Sequence, residues 1–61
     1  MLRGYVIVRD DGQYVARPGS EHSYCGNLQD AKVFWTLAEA ERNRCPENER
    51  TVSLEDIFAR R

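Results

Sequence analysis

Two apolar runs open the chain, Tyr5-Val6-Ile7-Val8 and Tyr14-Val15-Ala16, and the polar stretch between them carries the pair Asp11-Gly12. Short β-branched and aromatic runs separated by such a pair predict two antiparallel strands joined by a tight hairpin. A two-residue loop over Asp11-Gly12 pairs Asp10 with Gln13, Arg9 with Tyr14, Val8 with Val15, Ile7 with Ala16 and Val6 with Arg17. That register gathers Val6, Val8 and Val15 on one face and Tyr5, Ile7, Tyr14 and Ala16 on the other. Both faces are then apolar, and the usual polar-out alternation of a half-solvated sheet fails.

From Pro18 to Asn27 the chain has no period of 2 or 3.6 and is dense in turn formers, so it reads as a loop. Leu28-Gln29-Asp30 reads as one helical turn or a bend, and Ala31-Lys32-Val33-Phe34-Trp35 as a third strand on its β-branched and aromatic content. Thr36-Leu37-Ala38-Glu39 has the form of a capping box, which starts a helix, and Cys45-Pro46 ends it because proline disfavours helical geometry in the residue before it. The apolar face of this helix is small: Leu37 and Ala40, with Ala38 and Cys45 at its margins. Arg50 to Leu54 alternates as a fourth strand with Val52 and Leu54 inward. The tail from Glu55 to Arg61 is left with three outcomes: a longer strand, a short helix capped by Ser53, or a frayed end.

These elements predict an α+β fold in the order β-β-β-α-β, a small antiparallel-rich sheet with one helix packed on one face, in a single domain over residues 1–61. Tyr5-Val6-Ile7, Asp11-Gly12, Tyr14, Asn27-Leu28, Ala31, Val33-Phe34, Thr36 and Glu39-Ala40 together resemble a family of short bacterial phage and prophage proteins. In that family a Tyr-Val-Ile strand and an Asp-Gly hairpin precede an Ala-x-Val-Phe-x-Thr-x-x-Glu-Ala stretch. The resemblance covers most of the chain and implies a phage or prophage accessory protein; it brings no catalytic residues with it.

Composition narrows the function further. Leu, Ile, Val and Phe make 13 of 61 residues, and a core of this size rarely leaves more than about 3 to 5 kcal/mol of net stability. A metal, a disulfide or a second copy of the chain would add to it. Nine basic residues stand against ten acidic ones with no strongly basic segment beyond Arg60-Arg61, so a phosphate-neutralising surface is not expected. Eight of the nine bases are arginine, a type favoured at protein interfaces. Met1-Leu2-Arg3-Gly4 leads into only four strand-like residues, far fewer than a secretory or membrane-spanning segment requires. A cytoplasmic location is expected, with Cys25 and Cys45 reduced.

Cys25, Cys45 and His22 lack the close ligand pairs of a zinc site. His22 and Cys25, three residues apart in a loop, lack the rigid frame and orienting group of a catalytic dyad. The acids at Glu39, Glu41, Glu47, Glu49, Glu55 and Asp56 read as helix cap, solvated face and turn. No enzyme, metal or cofactor is predicted. With Val6, Val8 and Val15 under the helix, Tyr5, Tyr14 and Phe34 or Trp35 would gather on the uncovered sheet face, near Arg3, Arg9 and Arg17; the other arrangements make the Tyr-bearing face the core, or fold the tail with Ile57 and Phe58 over the open side. Such an aromatic patch marks an interface. The predicted binding residues are therefore Tyr5, Arg9, Tyr14, Phe34 and Trp35, with a protein partner or a second copy as occupant. The alternative is single-stranded nucleic acid stacked on the sheet aromatics, against which the near-neutral charge weighs.

Overall fold

A computed structural model describes residues 3–17 and 23–59. The chain forms β1 (Tyr5–Arg9), β2 (Tyr14–Arg17), β3 (Ser23–Cys25), a 3-10 turn (Leu28–Asp30), α1 (Leu37–Asn43), β4 (Glu49–Ser53) and α2 (Leu54–Ala59). The strands make one antiparallel sheet in the order β3-β2-β1-β4. The α+β fold and the order β-β-β-α-β read from the sequence both stand, and the tail resolves into a second helix whose first turn is capped by Ser53 Oγ, accepting from the Asp56 N–H at 3.1 Å.

The hairpin is where expected, but its loop is three residues long. The Gly12 N–H donates to the Arg9 carbonyl at 2.9 Å and the Arg9 N–H donates to the Gln13 carbonyl at 2.7 Å. Gly12 has φ +91°, and no described residue other than glycine has positive φ. A two-residue Asp11-Gly12 turn of the type that suits a hairpin needs positive φ at both central residues, and Asp11 does not supply it. The chain instead makes a turn over Asp10-Asp11 followed by a left-handed glycine, which takes one more residue into the loop. Asp11 fixes it from the side, Oδ1 accepting from the Gln13 N–H at 3.1 Å.

That extra residue shifts the expected pairing by one, so Val8 lies opposite Tyr14 instead of Val15. A shift of one sends every side chain of β2 to the other face. Ile7 and Val15 now share the face under α1, where they join Phe34 and Ala40 in the buried core, with Tyr5 and Tyr24 packed against it. Val6 and Val8 stand on the opposite face with Tyr14. They too are buried, so β1 is covered on both sides. The Val face and the Tyr face of the sequence reading are therefore each split.

The third strand also moves. Ser23-Tyr24-Cys25, read as loop, pairs with β2, while Ala31 to Trp35 forms only an isolated bridge between Phe34 and Tyr5. β1 has two edges; β2 takes one and β4 the other. Only at Tyr5, beyond the Val8–Tyr14 pairing with β2, is there an opening. Phe34 fills it, exchanging hydrogen bonds with Tyr5 at 2.7 and 2.8 Å, and the Lys32 N–H donates to the Val15 carbonyl at 2.9 Å.

Helix α1 begins as expected, with Thr36 Oγ1 accepting from the Glu39 N–H at 3.1 Å. Only Ala40 on it is buried; Leu37, Ala38 and Cys45, assigned to its apolar face, are exposed. The small methyl of Ala40 lets the helix approach the sheet, and a polar contact completes the join: Thr51 Oγ1 donates to Glu41 Oε2 at 2.6 Å. Strand β4 starts one residue early, at Glu49, and Leu54 opens α2 rather than ending the strand.

Candidate binding surface

Two places concentrate chemistry, and the five residues predicted to bind divide between them and the core. Phe34 is 1% exposed and Tyr5 packs beside it. Tyr14 is half-buried on the far face of the sheet. Arg9 joins a polar network at the hairpin end, and Trp35 alone stands free in solvent. The aromatic platform of the sequence reading is not assembled, because the register shift separates Tyr5 from Tyr14 and the Tyr5–Phe34 bridge draws Phe34 inward.

The polar network centres on Glu49, a carboxylate only 5% exposed. Tyr24 Oη donates to Glu49 Oε2, the Cys45 N–H donates to Oε1 at 2.7 Å, and Arg44 Nη1 donates to the Glu49 carbonyl at 3.0 Å. The guanidinium of Arg9 lies 4.1 Å from the Tyr24 ring centroid, a cation over an aromatic face. Arg9 Nη2 also donates to Asp11 and, at 3.3 Å, to Gln13 Oε1. Three strands and the turn after α1 are thus joined at one end of the sheet. The Glu49 carboxylate and burial raise the Tyr24 phenol above its ordinary value. Asp11 is held below the usual carboxylate range by the Arg9 hydrogen bond and the Gln13 N–H, and Arg9 is raised by Asp11. These hydrogen bonds all run within the chain, so the network is a clasp: it holds β3, β1 and β4 in place.

At the opposite end, Trp35 is 72% and Leu37 51% exposed. They flank Thr36, which is fixed as the α1 cap, and follow Phe34, which is fixed by two main-chain bonds to Tyr5. Two large apolar side chains are therefore held outward on a short, anchored segment. Sequence reasoning found Trp35 but placed it in a strand, and took Leu37 for core because the helical period allowed it.

Among the described residues no cluster of three or more His, Cys, Asp and Glu side chains could hold a metal ion, and no helix is long and apolar enough to cross a membrane. Cys25 is half-buried, its Sγ donating to the Asn27 carbonyl at 3.2 Å, and Cys45 is exposed. His22, and with it the expected approach of His22 to Cys25, lies outside the described residues. Comparison with protein-family models, curated proteins and solved structures finds no match to this chain.

Proposed function

We propose that the chain is a small non-catalytic protein-interaction module whose contact surface is built on Trp35 and Leu37. The observation that carries this reading is the 72% exposure of Trp35 on a segment locked at Phe34 and Thr36. Tryptophan dominates the few residues that supply most of an interface's energy, and a rigid anchor loses little conformational freedom on binding. The setting that fits is the phage or prophage accessory role implied by the resemblance, with another protein as partner. Single-stranded nucleic acid fits less well, since the chain carries nine basic against ten acidic residues and its sheet aromatics are not gathered on one open face.

Trp35 is the only tryptophan, so its emission reports the surface directly. The free protein is expected to emit like a solvated indole, with a shift to shorter wavelength when a partner covers it. Affinity capture from the host with wild type and Trp35→Ser should show partners lost from the variant while its unfolding temperature stays unchanged. Binding that survives Trp35→Ser, or a variant that unfolds, defeats the reading. Capture abolished by moderate salt would point to nucleic acid instead.

A further inference from the structure

We propose that the outer edge of β4 pairs with the β4 edge of a second copy of the chain, about a twofold axis at Thr51, with Arg50 of each copy set against Asp56 of the other. The proposal goes beyond the Trp35 surface and does not depend on it. It begins from the ladder between β1 and β4, in which Val6 faces Val52 and Val8 faces Arg50. Hydrogen bonds flank that ladder at both ends, from the Asp10 N–H to the Asn48 carbonyl and from the Leu54 N–H to the Gly4 carbonyl. In an antiparallel pair the bonded positions alternate. The even residues of β4 therefore turn their main chain to β1, and Glu49, Thr51 and Ser53 turn theirs outward.

The main chain of Glu49 is already engaged: its N–H donates to the Cys45 carbonyl and its own carbonyl accepts from Arg44. Ser53 ends the strand, its side chain capping α2. Thr51 has both main-chain groups open at the sheet edge. An edge closed at Glu49 and turning into α2 after Ser53 is a poor template for a long foreign strand. It suffices for a twofold pair, in which each Thr51 N–H donates to the other Thr51 carbonyl.

Side chains decide in favour of a second copy. A groove of about 330 Å³ runs between β4 and α2, lined by Arg50, Thr51, Val52, Asp56 and Ile57. Neither Arg50 nor Asp56 has a side-chain partner among the described residues. Pairing centred on Thr51 puts Arg50 opposite the second copy's Val52, and Asp56 lines the same groove as Val52. Each cation then meets an anion, twice, by symmetry. On the other face Glu41 of each copy approaches the axis with its charge already met by Arg44 Nε at 2.6 Å, so the like charges there are compensated.

Sedimentation equilibrium over rising concentration tests this. Wild type is expected to pass from monomer to dimer, and Arg50→Glu and Asp56→Lys, each alone, to dissociate about tenfold or more readily as the facing charges become alike. An equimolar mixture of the two variants restores both pairs and should dimerise like wild type. Thr51→Pro removes the central donor without touching the β1 ladder, since its N–H points outward, but it also loses the Oγ1 bond to Glu41; Thr51→Val, which loses only that bond, is the control, and should stay dimeric where Thr51→Pro gives a folded monomer. Wild type that stays monomeric at millimolar concentration, or a mixture no tighter than its components, overturns the proposal. Trp35→Ser should leave the dimer intact; its loss there would assign the dimer to the Trp35 surface and overturn the β4 pair.

Discussion

At the scale of single residues, Glu49 matters most and was least legible. In the sequence it sits in Glu47-Asn48-Glu49 and reads as a solvated turn, because no local pattern announces a tyrosine 25 positions earlier as its donor. Its burial follows from the register, which sets Glu49 opposite Arg9 at one end of β1, where Tyr24 of the far edge strand reaches across the sheet to it. A pH prediction follows from Tyr24. Its folded value is raised above the unfolded value near 10, so the neutral phenol is the form the fold prefers. The stability it contributes is complete below about pH 10 and is lost as pH rises from there through the folded value. Chemical denaturation between pH 8 and 11 should show that loss. Tyr24→Phe should remove this loss and lower stability at neutral pH by about 1.5 to 3 kcal/mol, since a hydrogen bond to a buried carboxylate is gone.

Among the elements, the hairpin was legible in existence and wrong in register, and both follow from Asp10-Asp11-Gly12. The same three letters serve a two-residue loop over Asp11-Gly12 or a three-residue loop closed by Gly12. The choice rests on whether Asp11 goes to positive φ, which composition does not express. Gly12, at φ +91° with open space where a Cβ would stand, is held by backbone conformation alone. Gly12→Ala is therefore expected to cost about 1 kcal/mol with no steric clash. Gly12→Asn, which tolerates that region better, should cost less than Gly12→Ala; thermal melts of the pair check the order, and equal losses would mean the loop can re-form as another turn. The third strand failed for a different reason. Ala31 to Trp35 has the composition of a strand, but β1 offers it only the opening at Tyr5, and edge availability is a property of the whole sheet.

For the whole molecule, the helix cap at Thr36 and the fold class were readable because they depend on near neighbours, whereas the division of Phe34 from Trp35 depends on the assembled sheet. The two are adjacent aromatics, and their fates are opposite: Phe34 is 1% exposed and Trp35 72%. With so thin a core, one aromatic is a large share of the total. Removing a buried phenylalanine typically costs about 3 to 5 kcal/mol, comparable with the roughly 3 to 5 kcal/mol such a domain can hold. Phe34→Ala should therefore leave the chain largely unfolded at 25 °C, with loss of the amide dispersion seen by NMR, whereas Trp35→Ser should keep wild-type dispersion. A second copy bound through β4 binds only the folded state, so raising protein concentration should recover part of the Phe34→Ala population by mass action. Recovery that vanishes when Thr51→Pro is added would tie that rescue to the β4 edge and separate the work of the core from that of the interface.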